Sequence, residues 1–270
     1  MKATSQSREP ARDPRTETRV AAELAGGQLG HPCVAFTRVS STMDVAHQLA
    51  GEGADEGLLI VAAEQTAGRG RAGRSWMSPP GGLYLSLVLR PQRDPAEWPQ
   101  LALVAGLAAA QSVPKLSKKQ KPTIRWPNDV LVDGRKLAGI LTEAKVDAHG
   151  NRYVVVGLGM NLTTRAEDLP DVATSLTQLL DEPPAIWQMA ARFVTRFERA
   201  YCDWHADTFA AIRSELLPWI SLFGQVVQIT TPTDTFEAQA TDLDEQGRLL
   251  VRLDSGIIRP VDVGDVTLLR

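Results

Sequence analysis

The dipeptide Asp133-Gly134 constrains the fold most tightly. An Asp-Gly step takes positive φ at little cost, and a two-residue hairpin turn needs that to match the twist of its strands. It stands between two apolar runs, Val130-Leu131-Val132 and Leu137-Ala138-Gly139-Ile140-Leu141. The chain must therefore build buried antiparallel strands and supply something to cover them. Further strand candidates are Val34 to Phe36, Leu58 to Ala63, Leu83 to Leu89 and Tyr153 to Leu162. Helices are expected over Asp44 to Ala50, behind the hydroxyls of Ser41 and Thr42, and over Pro99 to Val113, which is apolar on nearly all sides. From Pro184 to Trp204 the spacing of Ile186, Met189, Phe193, Phe197 and Tyr201 is helical, and another helix follows to Leu216. This predicts an α+β fold, a mixed sheet with helices packed on it.

The texture changes near Ser221. Short strand runs then alternate with turn signals such as Glu245-Gln246-Gly247 and Asp254-Ser255-Gly256, as in a small all-β barrel. Residues 1–30 are polar without sustained periodicity, so they are expected to be a disordered extension with a short helix near Val20 to Leu24. The expected organisation is residues 1–30, 31–220 and 221–270.

The formal net charge is −3, so the chain as a whole is no electrostatic nucleic-acid binder and an anion site must be a local patch. Cys33 and Cys202 form no C-x-x-C, and the four histidines show no zinc spacing. No apolar run is long enough to span a bilayer, and the N-terminus lacks a signal-peptide centre, so a cytoplasmic protein is expected.

The patch is Gly68-Arg69-Gly70-Arg71-Ala72-Gly73-Arg74-Ser75-Trp76. Glycines let backbone approach a ligand, guanidinium forks match carboxylate or phosphate oxygens, and Trp76 can stack on a ring. Taken alone, the run reads equally as a solvated loop or a nucleic-acid contact. The hairpin brings Asn128 and Asp129 towards Lys136 at one end, although a plain surface hairpin explains those residues too. Gly157, Gly159 and Asn161 end a strand, where small residues let a ligand lie against a sheet.

Together these segments resemble the biotin protein ligases (biotin–[acetyl-CoA-carboxylase] ligases). The motifs are Ser-Thr before a helix, Glu-Gln-Thr-x-Gly-Arg-Gly-Arg-x-Gly-Arg-x-Trp, Arg-Trp-Pro-Asn-Asp, Lys-Leu-Ala-Gly-Ile-Leu-x-Glu and Gly-Leu-Gly-Met-Asn-Leu, in that order from residue 34 onward. The resemblance implies a class II synthetase-like catalytic domain followed by a small SH3-like β-barrel. It implies that biotin's carboxylate attacks the α-phosphate of ATP to give biotinyl-5′-AMP. A lysine of a biotin carboxyl carrier domain then takes the biotinyl group. Mg²⁺ would accompany the triphosphate, with no protein-only metal ligands.

By the same resemblance, Ser41, Thr42, Met43, Gln65, Arg69, Gly70, Arg71, Lys136 and Gly139 bind biotin. Arg69, Arg71, Arg74, Trp76, Asn128, Lys136 and Asn161 bind ATP or the adenylate, and Arg71, Lys136 and Asp129 carry catalysis, Asp129 by orienting or deprotonating the acceptor lysine. Two positions depart from the common pattern. Met43 stands where Asn is frequent, which leaves only a backbone contact there, and Arg125 replaces Lys with the charge kept. Larger relatives carry an N-terminal helix-turn-helix, for which residues 1–30 leave no room, so a single-function form without a DNA or membrane partner is expected, as a monomer or weak homodimer. The arginine loop is expected to be mobile and to order on biotin or adenylate. The rival expectations are a lipoate–protein ligase, a non-catalytic nucleic-acid module and a ligand sensor without catalysis.

Overall fold

The computed structural model describes residues 11–206 and 209–269. Eight strands form one sheet: β1 (Ala11–Arg12), β2 (Cys33–Arg38), β3 (Leu59–Ala62), β4 (Gly82–Leu89), β5 (Pro122–Arg125), β6 (Asp129–Val132), β7 (Arg135–Val146) and β8 (Arg152–Asn161). Their spatial order is β1-β2-β3-β4-β8-β7-β6-β5. The β2/β3 pair is parallel and the other neighbours are antiparallel, so the sheet is mixed as expected. The parallel pair needs a crossover, and α2 (Thr42–Gly51) lies in that connection. The predicted turn joins β6 to β7 with φ of 50° at Asp133 and 75° at Gly134.

The two faces of the sheet are covered differently. α3 (Leu101–Ser112) is buried nearly all round, as its composition requires. With α4 (Ile186–Ala206) it covers the face that carries Leu83, Leu85, Leu87 and Leu89. On the opposite face α2 packs only on Ile60, Val88, Val155 and their neighbours. The sheet beyond α2 is left for the loops, and that is where the site lies.

Residues 11–30 depart from the expected disorder. α1 (Pro14–Glu23) starts at Asp13, whose carboxylate accepts from the Thr16 amide (3.2 Å), and Pro14 occupies the first turn. Val20, Leu24 and Leu29 are buried in the main core. The sequence predicts a short helix near Val20 to Leu24; it begins earlier, at Pro14, and its length escapes a periodicity test because Val20 is its one buried residue. Residues 1–10 lie outside the described residues.

After α5 (Phe209–Leu216), strands β9 (Val226–Thr230), β10 (Thr235–Leu243), β11 (Leu249–Arg252), β12 (Ile258–Val261) and β13 (Asp265–Leu268) form an antiparallel sheet in the order β12-β11-β10-β9-β13. Its apolar side belongs to the same core as α3 and α5. Trp126 Nε1 donates to the Gly247 carbonyl (3.0 Å), and Arg213 reaches Asp242 and the Leu243 carbonyl (both 2.7 Å). These contacts tie the small sheet to the turn after β5 and to α5.

Candidate functional site

Strand register builds the floor. Tyr84 pairs with Gly159, Gly159 with Gly139, and Gly139 with Asp129, giving one line across four strands on the α2 face. The next line runs through Ser86, Gly157 and Leu141. Three glycines thus leave a bare strip of sheet. A Cβ on Gly159 would sit 2.6 Å from the Trp76 indole, one on Gly139 2.9 Å from it, and one on Gly157 2.6 Å from Met43 Sδ. The glycines are needed because these side chains pack directly on the backbone.

One wall is the start of α2. Ser41 stands at the N-cap position, yet its side chain makes no capping hydrogen bond, against the simple capping role its place suggests. The Thr42 amide donates to Gln65 Oε1 instead (2.8 Å), the Thr42 hydroxyl donates to the same oxygen, and Ser86 donates to Thr42 Oγ1. Gln65 Nε2 reaches Ser78 (2.9 Å). Gln65 therefore holds the wall together. Ser41 Oγ and Trp76 Nε1 are buried and have no hydrogen-bond partner among the described residues. An unpaired buried polar group costs about 1–3 kcal/mol, so both are poised for a polar ligand edge.

The other wall is charged. Asp129 accepts from Arg125 at Oδ2 (2.6 Å) and pairs with Lys136 at Oδ1 (2.7 Å). Lys136 Nζ also lies 4.9 Å from the centre of the Trp76 ring. Asn128 donates to the Ile140 carbonyl (2.7 Å) and accepts from Arg71 Nη1 (3.0 Å), which aims the guanidinium. Burial pushes the Arg71 guanidinium below its usual value, against the opposing pull of Asp265. The cleft between the walls holds about 1050 Å³ of empty space open to solvent, and five cations, Arg69, Arg71, Arg74, Arg125 and Lys136, line it against two carboxylates, Asp129 and Asp265. A chain of net charge −3 thus presents a locally cationic cleft.

Every residue expected to bind biotin lines this cleft. So do Arg74, Trp76, Asn128 and Asp129, and the exception is Asn161. Asn161 shares the face of Gly157 and Gly159, but its buried amide donates to the Thr174 carbonyl (2.9 Å). It secures the segment whose Thr174 amide bonds the Lys136 carbonyl (2.9 Å). Three contributors went unseen in the sequence. Asp265 brings the small sheet into the cleft. Asp44 and Glu143 grip Arg69 from behind.

Glu143 is held in turn by His47 Nε2 (2.9 Å), whose Nδ1 faces the Tyr153 hydroxyl (3.3 Å). Burial lowers the His47 pKa below 6.5, outweighing the Glu143 hydrogen bond that raises it. The unfolded chain then takes up a proton that the fold resists. Stability is full above pH 6.5 and falls as the pH drops from there to the lower folded value. His47→Gln should flatten this part of a Tm-versus-pH curve. An unchanged slope would rule out His47 as its source.

Residues 35–161 match the Biotin/lipoate A/B protein ligase family, and residues 222–269 match the Biotin protein ligase C terminal domain. The bifunctional ligase/repressor BirA of Bacillus spizizenii is 37% identical over 81% of this chain and 69% of its own length. The biotin–[acetyl-CoA-carboxylase] ligase of Paracoccus denitrificans is 34% identical over 82% of this chain and 94% of its own. A solved biotin protein ligase from Aquifex aeolicus, in complex with biotin and ATP, superposes with a TM-score of 0.74 at 25% identity, covering 88% of this chain and 98% of that one.

Proposed function

The chain belongs to the biotin protein ligases of the biotin/lipoate A/B protein ligase family, and from this we propose that it activates biotin as biotinyl-5′-AMP and passes the biotinyl group to a lysine of a biotin carboxyl carrier domain. The observation that carries the proposal is the polarity of one cleft. Ser41 Oγ, unpartnered among the described residues, stands at one wall, a glycine floor lies beneath Trp76, and Arg71 with Lys136 stands at the far wall.

In the first step a carboxylate oxygen of biotin attacks the α-phosphorus. The new bond is the acyl–phosphate link, and pyrophosphate leaves with the electrons of the broken P–O bond. Nucleophile and phosphate are both anionic, so positioning and fixed positive charge supply the catalysis. Arg69, Arg71 and Lys136 supply that charge, with Arg74 at the loop tip. Mg²⁺ keeps several waters and is usually held by substrate phosphates with at most one or two carboxylates, so it is assigned to the incoming triphosphate. In the second step the acceptor amine attacks the acyl carbon, AMP leaves, and the amine proton departs. Asp129 is the carboxylate beside Lys136 that can accept it.

Residues 31–220, together with residues 11–30, whose β1 joins the same sheet, are read as the catalytic domain, of the class II synthetase-like type, and 221–270 as a small SH3-like barrel in a cytoplasmic enzyme. Two separate sheets and the match of residues 222–269 support that division. No DNA-binding role is assigned to α1, whose Val20 is used in the core.

Incubation with ATP, Mg²⁺, biotin and a carrier domain should add one biotinyl mass to one acceptor lysine, and an unmodified carrier with active adenylation would refute the transfer step. Biotin should also slow trypsin cleavage between Gly68 and Trp76, because the loop closes over it and shields the anhydride from water. Equal cleavage with and without biotin would contradict that closure.

A further inference from the structure

The last strand, β13, takes no part in the two half-reactions as described, yet it reaches the cleft. The Gly264 carbonyl accepts from Arg71 Nη2 (3.3 Å). Asp265 Oδ1 accepts from Arg74 Nη2 (2.8 Å) and stands 3.7 Å from Arg71 Nη1. Apart from these contacts and Asn128, which accepts from Arg71 Nη1 (3.0 Å), the loop tip is held by itself among the described residues. Gly70 donates to the Arg74 carbonyl (2.7 Å), Arg74 donates to the Arg71 carbonyl (3.1 Å), and Ala72 and Gly73 both take positive φ. A glycine-rich tip with two arginines side by side loses entropy and gains repulsion when it closes.

Asp265 is well placed to offset that cost. Its strand pairs with β9, with Asp265 opposite Thr230, and the next residue, Val266, is buried in the core. One carboxylate oxygen on a fixed strand therefore faces both tip arginines. The pair is half exposed, with Arg74 at 59% and Asp265 at 47%, so its strength is modest and falls with salt.

We infer that Asp265 is a positioning residue. It latches the tip of the arginine loop to the small sheet and so retains the acyl-adenylate between its formation and its use. The retention rests on the adenylate chemistry proposed above, whereas the latch itself does not.

The test compares the full chain with Asp265→Asn, Asp265→Glu and Asp262→Asn. Asp262 belongs to the same small domain but faces Arg248 rather than the loop. Trypsin cuts after arginine, so its rate after Arg71 and Arg74 reports tip opening in the ligand-free protein. Asp265→Asn should be cut about fivefold faster than the parent, the upper end of what an exposed ion pair supplies. Asp265→Glu should fall between them, and Asp262→Asn should match the parent. In single turnovers, the ratio of biotinyl-AMP release to its formation should rise about fivefold in Asp265→Asn, a split that a generally loosened fold would not give. Equal cleavage of Asp265→Asn and the parent would overturn the latch. Faster cleavage with an unchanged ratio would overturn the retention. A parent that forms no adenylate would sink the function proposed above, while the cleavage rates would still decide the latch.

Discussion

Lys136→Ala lowers the rate of biotinyl-AMP formation by about 10²–10³-fold, the loss seen when one fixed donor to a developing charge is removed. The size follows from where Lys136 stands. Its ammonium is 2.7 Å from Asp129 and 4.9 Å from the Trp76 ring centre, on a side chain only 28% exposed. Few waters could replace it. Its removal also leaves one oxygen of a buried carboxylate without its cation, so the far wall of the cleft becomes more negative where two anions must meet. The loss should appear in kcat and kcat/KM alike, since the charge matters most at the transition state. Lys136→Arg should not restore the rate, because a planar fork does not replace a compact ammonium beneath an indole. Single-turnover adenylate formation followed by mass spectrometry checks this. A Lys136→Ala enzyme within tenfold of the parent would remove Lys136 from the chemistry.

Trp126→Ala costs about 3–5 kcal/mol of stability, the range for truncating a large core aromatic. Trp126 is 3% exposed, belongs to the core shared by both sheets, and donates its indole N–H to the Gly247 carbonyl (3.0 Å). Truncation opens a cavity and cuts a link between the turn after β5 and the small sheet. Trp126→Phe keeps most of the volume and loses the donor, so it should cost less, about 1–3 kcal/mol for an unpaired buried carbonyl. Urea unfolding at fixed pH measures both. The order alanine worse than phenylalanine is required, and a loss below about 1 kcal/mol for Trp126→Ala would mean that the site collapses without strain. Trp126 also opens the turn that carries Asn128 and Asp129, so the alanine variant should lose adenylation even where it remains folded.

Much of this cleft was legible in the sequence because backbone chemistry left marks there. Asp133-Gly134 announced a turn, but a one-residue bulge at Leu137, which the sequence does not mark, shifts the register so that Asp129 faces Gly139 and, through it, Gly159. Glycines on a buried strand announced a close approach, which Trp76 and Met43 make. What escaped notice lacked such a mark. The sequence predicts only the end of α1, near Val20 to Leu24, because a helix that buries a single residue shows no sustained periodicity. Asp265 opens an ordinary strand and gains its meaning only when the small sheet docks. Asp44 looks like a favourable acid in the first turn of α2, and its grip on Arg69 arises from the loop folding back over the helix. Asn161 lies outside the cleft lining for a related reason. It stands on the correct face, but Thr174 takes its amide, and sequence shows no contact of that kind.

The central claim is that this cleft couples biotin to AMP. It is tested most directly by incubating the full chain with ATP, Mg²⁺ and either biotin or lipoate and weighing the products. The account predicts biotinyl-AMP with biotin and no adenylate with lipoate. Lipoyl-AMP alone would keep the chemistry but contradict the substrate, and no adenylate from folded protein would contradict the account altogether.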